Sequence, residues 1–464
     1  MKRVALHNLG CKVNAYELDV MRQILEENGY QVVTFDETAD IYIVNTCTVT
    51  NIADRKSRQM LHRAKKCNPE GVVVAVGCYV QTGDGAQMDP CIDLAIGNNR
   101  KNELPALLEA YLREREAGNA GAQAFVRDLS SPVPYEEMML TEAAERTRAF
   151  IKIQDGCNAF CSYCIIPFAR GRVRSRRPED ICREAAALAR AGCQEIVITG
   201  IHISSYGMDF VKAEDAFAGD ARQAAYERGY LLRLLETLHE IEGIKRIRLG
   251  SLEPRIITET FADRLRTLPK VCPHFHLSLQ SGCDATLKRM NRHYLAGEYY
   301  EKVNILRNAF DNPAITTDVI VGFPGETADE FAQTQAFLER IGFYEMHVFP
   351  YSRRQGTTAA AMPDQVADAE KSRRSHVLLA LAKRQSRAYR ETFSGKDVTI
   401  LLEEPVIVNG VRYMTGYTAE YVKTALRTEM DLSNRIVRGT VSGFLQEDML
   451  LIETAPESLK FENK

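Results

Sequence analysis

The chain has 464 residues, of which 45% are hydrophobic and 26% are charged, and its net charge at neutral pH is −3. This length predicts two or three domains, and the small net charge excludes a whole-protein field that attracts nucleic acid. No apolar run has the length of a membrane span, and polar residues follow Met1 too early for a signal peptide. We therefore expect a cytoplasmic protein without a membrane partner, whose twelve cysteines are thiols or metal ligands.

The first region, residues 1–116, alternates strands and helices, which predicts an α/β domain with a mostly parallel sheet. Asn14, with Glu17 three residues later, has the pattern of a helix N-cap, so a helix is expected from Ala15 to Asn28. The Gly-, Ala- and charge-rich stretch 117–142 is predicted to be a linker. Strands are predicted at 4–8, 31–35, 41–45, 72–76 and 93–96, and further helices at 51–66 and 102–116.

The second region, residues 143–373, repeats this alternation in six βα units, too few for a full eight-stranded barrel. We therefore expect an incomplete parallel (βα)6 barrel, with one helix started by a capping box of Thr327 and Glu330. Residues 208–229 insert an Ala-rich, charged stretch that we interpret as a surface loop. Strands are predicted at 149–153, 195–199, 246–249, 274–279, 315–321 and 344–349, and helices at 178–191, 229–241, 257–268, 297–310 and 327–341.

The third region, residues 374–458, contains most of a charged helix predicted over 367–392, followed by short β runs. Runs this short, interrupted by Asn409 and Gly410, indicate a small β-barrel. The fold class expected for the whole chain is therefore α/β, with a small all-β domain at its C-terminal end.

Cys157, Cys161 and Cys164 place three thiols within eight residues, directly after the first strand of the barrel series. Such a loop wraps one face of a 4Fe-4S cube and leaves one iron open to a ligand from outside the protein. Zinc is the alternative, but it takes a fourth Cys or His, usually from a second close pair, and no such pair is nearby. We predict that these three cysteines hold an iron–sulfur cluster.

Cys11, Cys47 and Cys78 are far apart in sequence, yet each follows a predicted strand by two or three residues. The carboxyl ends of parallel strands share one edge of a sheet, so the three thiols are able to converge there. On position alone, three unrelated buried cysteines remain the more frequent case, and the residues by themselves leave the question open.

Several motifs, spread nearly end to end, make the chain resemble the radical S-adenosylmethionine (SAM) methylthiotransferases. The matching segments are residues 9–14 (LGCKVN), 45–50 (NTCTVT), 76–79 (VGCY), 156–164 around the cysteine triplet, 170–176 (RGRVRSR), 279–282 (LQSG) and 318–326 (DVIVGFPGE). The resemblance implies an N-terminal cluster domain, a radical SAM core and a C-terminal RNA-binding barrel of the TRAM type. It also implies that Cys11, Cys47 and Cys78 ligate a second 4Fe-4S cluster.

Lys12 and Val13, which follow the first cysteine, make the chain look like the subgroup that acts on N6-threonylcarbamoyladenosine in tRNA. The implied reaction inserts a methylthio group at C2 of that adenine, next to the anticodon, with SAM as both methyl donor and radical source. A reducing electron-transfer protein and a sulfur donor are the further partners implied. The alternatives are an isopentenyladenosine tRNA or a ribosomal protein as substrate, or a non-catalytic iron–sulfur protein that binds RNA or senses redox state.

SAM is expected across the carboxyl ends of the barrel strands, where βα folds place their sites. No general base or catalytic triad is evident, so the clusters carry the chemistry. The residues expected to contact SAM are Tyr163, Gly200, Ser251, Glu253, Gln280 and Gly322.

Three basic runs are candidates for contact with RNA, at 55–66, 170–177 and 371–390. Because the second run follows the cysteine triplet, we expect it to position phosphate or substrate. From Ser394 onward the chain has eight Lys or Arg and eleven Asp or Glu, an acidic balance that favours RNA contact at the basic helix rather than at the final barrel.

Overall fold

The structure is a computed structural model that describes residues 1–83, 89–119, 121–142, 147–211 and 221–454. It contains three β-sheets and one closed β-barrel. They are a six-stranded N-terminal sheet, two sheets that together form an incomplete barrel, and a small closed barrel. The predicted α/β fold class is confirmed. Within the described ranges, no helix is both long and apolar enough to cross a membrane.

The N-terminal sheet is entirely parallel, in the order β2-β1-β3-β4-β5-β6. Its two central strands consist mostly of β-branched residues and are buried throughout, as expected for a parallel sheet covered by helices on both faces. The strands are β1 (Arg3–Asn8), β2 (Gln31–Val33), β3 (Ile41–Thr46), β4 (Val72–Gly77), β5 (Leu94–Ile96) and β6 (Gln123–Phe125), and the helices are α1 (Lys12–Glu27), α2 (Asn51–Cys67), α3 (Cys78–Thr82) and α4 (Leu104–Glu116).

Strand β6 lies in the stretch 117–142, where the sequence pattern predicts no regular structure. Ala124 pairs in parallel with Ala95 of β5, which extends the sheet by one strand. Leu129, Met138 and Leu140 then pack into buried positions. A three-residue Gln-Ala-Phe strand is too short to show a periodic signal, so pairing with β5 rather than propensity defines it.

Helix α1 begins three residues earlier than predicted, because Cys11 rather than Asn14 occupies the N-cap position. The predicted N-cap is wrong because tertiary partners take the Asn14 side chain. Its amide donates to the carbonyl oxygens of Leu9, at 2.6 Å, and Thr46, at 2.9 Å. Asn14 therefore ties the first turn of α1 to the ends of β1 and β3.

The incomplete barrel has six parallel strands in the order β7-β9-β10-β11-β12-β13. Two isolated parallel bridges, Ile247 to Val271 and Leu252 to Leu277, join its two sheets. The six-unit prediction is confirmed, and so is the capping box of Thr327 and Glu330. The strands are β7 (Arg148–Asp155), β8 (Arg174–Ser175, antiparallel to β7), β9 (Glu195–Gly200), β10 (Arg246–Leu249), β11 (His274–His276), β12 (Ala314–Val321) and β13 (Glu345–Pro350).

The helices of the barrel follow the predicted positions closely. The inserted stretch 208–229 falls partly outside the described residues, and its described part includes a helix whose Tyr226 hydroxyl donates to Glu253 at 2.6 Å. The helices are α5 (Ile166–Arg170), α6 (Pro178–Arg190), α7 (Ala221–Arg228), α8 (Tyr230–His239), α9 (Glu259–Arg266), α10 (Asp284–Arg289), α11 (Ala296–Ala309) and α12 (Ala328–Ile341).

The C-terminal part begins with α13 (Asp368–Glu391) and continues as a closed five-stranded barrel in the order β14-β15-β16-β18-β17. This barrel covers the amino end of the (βα)6 strands. The guanidinium of Arg246 donates to the carbonyls of Tyr417, at 2.8 Å, and Thr399, at 2.6 Å, and Arg248 donates to Ala419 at 2.8 Å. The strands are β14 (Asp397–Val408), β15 (Val411–Thr418), β16 (Lys423–Arg427), β17 (Ile436–Gln446) and β18 (Met449–Glu453).

Gly416 of β15 provides a test of the packing within the small barrel. A Cβ at this position would press on the backbone carbonyl of Leu401 in β14. We expect Gly416→Ala to lower the free energy of unfolding by about 1–3 kcal/mol, because backbone is the group that has to move. Thermal unfolding followed by circular dichroism measures the change.

The matched control is Gly297→Ala in α11, where an added Cβ meets nothing within 4 Å. This variant should be neutral or slightly stabilised, since alanine is the better helix former. Equal unfolding midpoints for the two variants would contradict the packing described for β14 and β15.

Candidate cluster sites at the interface of the N-terminal sheet and the barrel

The structure brings the three dispersed cysteines together at the carboxyl edge of the N-terminal sheet. Cys47 and Cys78 directly follow the ends of β3 and β4, and Cys11 lies three residues beyond the end of β1. Gly10 makes this approach possible, since its φ of +106° and the 3.0 Å that would separate an added Cβ from the Cys47 sulfur leave no room for a side chain. Burial is the main cause that raises the pKa of Cys47, and the neighbouring Cys78 and Cys11 raise it further.

The contiguous cysteines lie in a loop between β7 and α5 that is fixed by backbone hydrogen bonds. The Cys157 amide donates to the Gly171 carbonyl at 3.0 Å, and the Cys164 amide donates to that of Cys161 at 2.9 Å. Ser162 anchors the loop to the opposite side of the barrel, since its amide donates to the Met290 carbonyl at 3.0 Å. All three cysteines are half-buried.

The donor chemistry of both trios fits an iron–sulfur cluster. Burial raises the pKa of Cys47 to about 11, and burial together with the neighbouring Cys161 and Cys157 raises the pKa of Cys164. Three crowded thiolates are therefore unstable on their own at neutral pH, whereas a cationic metal centre favours them. Three sulfur donors per site are also what a 4Fe-4S cluster with one open iron requires.

A cationic side chain donates to one sulfur in each trio, and it is fully buried at Arg170 and half-buried at Arg292. Arg170 Nε lies 3.4 Å from Cys78 Sγ, and Arg292 Nη1 lies 3.3 Å from Cys161 Sγ. Asn98 Nδ2 adds a second donor 3.5 Å from Cys78 Sγ. Hydrogen bonds to ligand sulfurs tune the reduction potential of a cluster.

Sequence reasoning missed Asn98 and Arg292. Asn98 follows the end of β5, so the rule that ligands gather at the carboxyl edge of a parallel sheet was a signal that could have found it. Arg292 lies 128 residues after Cys164 in a turn that carries no motif, and only the fold brings it to the cluster loop.

The expectation that the run 170–177 meets phosphate is wrong for three of its arginines. Arg170, Arg174 and Arg176 are buried and pair with acids inside the protein. Only Arg172 and Arg177 are exposed, and the guanidinium of Arg172 lies 4.8 Å from the centre of the Phe160 ring. Arginine clustering in the sequence does not distinguish an internal ion network from an RNA-binding face.

Glu17 of α1 is the centre of that internal network. Its carboxylate accepts from Lys101 of the N-terminal sheet domain, from Lys152 of β7 at 2.7 Å and from Arg170 of α5 at 2.6 Å. Although burial would raise the pKa of Glu17, Arg170 and the two lysines hold it well below its usual range. Arg170 also donates to Asn14 Oδ1 at 2.6 Å. The network joins the N-terminal domain to the barrel beside Cys11 and Cys78.

Four of the residues predicted to contact SAM lie at carboxyl ends of barrel strands. Gly200 ends β9, Ser251 is exposed just beyond β10, and Gly322 directly follows β12. Gln280 follows β11 in the left-handed region, with φ of 75°, and is held there by a bridge to Val319. Backbone strain of this kind at a buried non-glycine residue is typical of a functional position.

The other predicted SAM residues have internal contacts. Tyr163 packs edge-on against Phe323, with ring centres 6.4 Å apart. The Glu253 carboxylate accepts from Tyr226 and from Arg255, at 2.6 and 2.8 Å. Among the four residues at strand ends, Gly322 also has a partner within the chain, because its amide donates to Glu326 at 2.6 Å.

A cleft of 880 Å³ opens beside both trios. One wall is formed by the start of α2 and the end of α3, the helix that begins at Cys78, and another by Ile165, next to Cys164. Four exposed apolar side chains lie on the segments around it, at Val49, Ile52, Phe168 and Phe349. The cleft residues include Asn51, Asp54, Arg58, Gln81, Thr82, Ile165, Phe168, Arg353 and Arg354.

Comparison with protein families identifies two matching segments. Residues 151–338 match the Radical SAM superfamily, and residues 3–97 match the Uncharacterized protein family UPF0004. The first segment contains the contiguous cysteines and the second contains the dispersed ones.

Among curated proteins, the threonylcarbamoyladenosine tRNA methylthiotransferase MtaB of Bacillus subtilis is 40% identical over 440 residues, covering 94% of this chain and 93% of that protein. MtaB of Aquifex aeolicus is 38% identical, covering 87% and 93%. The tRNA-2-methylthio-N(6)-dimethylallyladenosine synthase of Moorella thermoacetica is 34% identical, covering 92% and 93%. A solved radical SAM methyltransferase, TsrM of Kitasatospora setae, shares the fold at a TM-score of 0.52 with 16% identity, covering 75% and 73%.

From the ion pairs of Glu17, we predict a large loss of stability when the charge of this carboxylate is removed. Glu17→Gln leaves Lys101, which is fully buried and bonds no other acid among the described residues, without a counter-charge. We expect the free energy of unfolding to fall by about 3–5 kcal/mol, the usual cost of breaking a buried ion pair. Urea unfolding under anaerobic conditions measures it.

Glu116→Gln is the matched control, since Glu116 pairs with Lys2 on the surface at 3.4 Å. Its unfolding midpoint should equal that of the parent chain, because exposed pairs contribute little. A Glu17→Gln protein as stable as this control would show that the network does not hold the two domains together.

Proposed function

Because the chain belongs to the radical SAM methylthiotransferases that modify tRNA, we propose that its substrate nucleoside is N6-threonylcarbamoyladenosine next to the anticodon and its product the 2-methylthio derivative. As a member of this family, the enzyme uses SAM and two 4Fe-4S clusters. The nucleoside is supported by relatives named for threonylcarbamoyladenosine at 40% and 38% identity, against 34% for the Moorella relative named for dimethylallyladenosine.

The observation that carries the proposal is that six cysteines from two domains lie on the two sides of one interface. Asn98 spans it, since its amide donates both to Cys78 Sγ at 3.5 Å and to the Ala169 carbonyl at 2.8 Å. Helix α3, which begins at Cys78, packs against α5, which closes the loop of the other trio. We assign Cys11, Cys47 and Cys78 to one cluster and Cys157, Cys161 and Cys164 to the other.

When bound, the cluster of the contiguous trio supplies the electron that splits SAM into methionine and a 5′-deoxyadenosyl radical, and the cluster of the dispersed trio carries the sulfur to be transferred. Arg292 and Arg170 each donate to one ligand sulfur and hold the loops in place. The edge on which SAM would lie is formed by Gly200, Ser251, Gln280 and Gly322. Of these, Gln280 is strained and buried between β11 and β12. Tyr163 would pack on its adenine, and Glu253 would act through its hydrogen-bonded partners.

The tRNA would enter through the 880 Å³ cleft, which is lined by Arg58, Arg353 and Arg354. Arg55 and Lys56 extend the exposed basic surface along α2. In the run 371–390, Arg384 and Arg387 are exposed but pair with Glu339 and Glu391, at 3.8 and 3.0 Å. The cations of that run that are buried are Lys371, Arg374 and Arg390. Cations bind the RNA backbone without reading sequence, and the exposed aromatic residues at the cleft suit unstacked loop bases.

The division of the chain follows from the same assignment. Residues 1–116 would form the cluster domain, 117–142 its connection, 143–373 the radical SAM core, and 374–458 the basic helix with a TRAM-type RNA-binding barrel. We further propose two partners, a reducing electron-transfer protein and a sulfur donor. The proposed location is cytoplasmic, since tRNA is the substrate.

Loss of the gene tests the nucleoside. Mass spectrometry of digested tRNA should show that 2-methylthio-N6-threonylcarbamoyladenosine disappears while its unmethylthiolated precursor accumulates, and a plasmid copy should restore the product. Loss of 2-methylthio-isopentenyladenosine instead would assign the chain to the other tRNA substrate.

Single cysteine variants test the division of labour between the trios. Cys11→Ala should keep SAM cleavage to 5′-deoxyadenosine but abolish methylthio insertion, whereas Cys157→Ala should abolish both. Cys67→Ala, half-buried at the end of α2 and outside both trios, is the control and should retain both activities. Loss of all SAM cleavage in Cys11→Ala would overturn the assigned roles.

A further inference from the structure

A loop that follows β13 contacts the cysteine loops of both trios. It comprises residues 351–360, and we call it the bridging loop. Both of its ends are anchored in the barrel, because Tyr351 and Ala359 are buried in a small apolar cluster against which Tyr163 packs. Its middle, residues 353–356, forms one wall of the 880 Å³ cleft. The bridging loop therefore spans the space between the two domains at the cleft.

The far end of the bridging loop is bonded to the loop of the contiguous trio. The Ala359 amide donates to the Ser162 carbonyl at 2.7 Å. Ser162 lies between Cys161 and Cys164, and its hydroxyl donates to the Arg289 carbonyl at 2.8 Å. This end of the bridging loop thus has a fixed position relative to two of the three contiguous cysteines.

The middle of the bridging loop is bonded to the segment that follows Cys47, through the side chain of Arg354. The Arg354 guanidinium donates to the Thr48 hydroxyl at 2.7 Å and to Asn51 Oδ1 at 3.2 Å. It also pairs with the Asp54 carboxylate, which accepts from the Thr48 hydroxyl at 2.7 Å. The Arg354 and Asp54 side chains are only 11% and 17% exposed, so solvent and salt screen this pair weakly.

Backbone and hydroxyl contacts hold Arg354 in the geometry for these bonds. The Thr357 hydroxyl donates to the Arg354 carbonyl at 2.7 Å and closes a turn. On the other side, the Asn51 amide donates to the Ser352 hydroxyl at 3.2 Å, and the Asn51 side chain donates to the Arg353 carbonyl at 3.0 Å. A guanidinium held in this way donates to several acceptors at once, which a lysine ammonium at the end of a flexible chain does not reproduce.

Arg354 adds a second point of attachment for the dispersed trio. Arg170 and Asn98 hold Cys78 against the barrel, and Arg354 holds the segment beside Cys47. A group of ligands that is attached at one point is able to pivot about that point, whereas attachment at two points removes this freedom. The bridging loop therefore fixes the orientation of the dispersed trio relative to the contiguous one.

We propose that Arg354 is a positioning residue that sets the separation of the two cluster sites, by holding the Cys47 segment at a fixed distance from the loop of the contiguous trio. The inference rests on the proposed function and deepens it, because sulfur from one site and the radical made at the other have to meet at the same nucleoside. A misplacement of about 1 Å lowers the rate of such a step by about 100-fold.

The coupling between SAM cleavage and sulfur insertion tests this role. The measured quantity is the methylthio nucleoside formed per 5′-deoxyadenosine, with iron-loaded protein and a saturating anticodon stem-loop RNA that carries threonylcarbamoyladenosine. Arg354→Met should lower this ratio by about 10- to 100-fold, since the radical still forms but the sulfur is misplaced. Saturation is verified for each variant by fluorescence anisotropy, so a change in RNA affinity does not alter the ratio.

Arg266→Met is the matched control. Arg266 is exposed at the end of α9 and lies 3.8 Å from Asp263, one turn away on the same helix. This variant also exchanges a paired arginine for methionine, and it should keep the ratio of the parent chain. Iron content is measured for every variant.

A double-mutant cycle tests whether Arg354 acts through Asp54. Asp54→Asn should lower the ratio as Arg354→Met does, and the double variant should be no lower than either single variant, because both changes remove the same contact. Losses that multiply in the double variant would show that the two residues act independently, which would overturn the proposal. If Arg354→Met does not take up iron, Asp54→Asn alone provides the test of the ratio.

Hydrogen exchange of the iron-loaded protein, followed by mass spectrometry, tests the same contact without turnover. In Arg354→Met, amides of residues 47–54 and 351–360 should exchange faster. Helix α1 should keep the exchange rates of the parent chain, because Glu17 holds it through separate ion pairs. Unchanged exchange at 47–54, or an equal increase throughout the chain, would contradict a positioning role for Arg354.

The outcomes distinguish this inference from the proposed function. If iron-loaded Arg354→Met keeps the ratio of the parent chain, the role of Arg354 is overturned and the nucleoside assignment stands. If the parent chain forms no methylthio nucleoside on the threonylcarbamoyl RNA, the proposed function is overturned instead. Hydrogen exchange then still decides whether Arg354 positions the Cys47 segment.

Discussion

The buried carboxylate of Glu17 is the interaction on which the rest of the site depends. It accepts from Lys101 of its own domain and from Lys152 and Arg170 of the barrel, and all four side chains are fully buried. Apolar residues of similar size would give equal or greater stability at such a contact. The ion network is therefore explained better by the orientation it imposes on the two domains than by its contribution to the free energy of unfolding. Because the Glu17 carboxylate has to meet Lys101, Lys152 and Arg170 at the same time, only one orientation of α1 against the barrel satisfies all of these ion pairs.

That orientation determines which groups the side chains in the first turns of α1 contact. Cys11 belongs to the dispersed trio, Asn14 links the ends of β1 and β3 to Arg170, and Glu17 ties the helix to the barrel. A rotation of the helix would move the sulfur ligand and the buried ion pairs of Glu17 together. The same guanidinium that binds Glu17 donates to Cys78 at 3.4 Å, so domain docking and the environment of the ligand sulfur are coupled.

Much of this arrangement could be predicted from the sequence, and the exceptions have physical causes. Alternation of apolar runs located all six barrel strands, and the position of Cys11, Cys47 and Cys78 after strands placed them at one sheet edge. Predictions from sequence patterns failed where contacts with residues distant in sequence determine the role of a side chain. Asn14 looks like an N-cap but serves distant carbonyls, and Arg170 looks like a phosphate ligand but neutralises a buried acid. Strand β6 has no period to detect, and Arg292 reaches Cys161 only through the fold.

Iron content tests the central claim, that two separate trios each hold a cluster across one domain interface. The anaerobically reconstituted chain should contain about eight irons and eight sulfides. Replacing Cys11, Cys47 and Cys78 together by alanine should leave about four, and replacing Cys157, Cys161 and Cys164 should also leave about four. A chain that holds only four irons, or a triple variant that retains all eight or loses them all, would contradict the account.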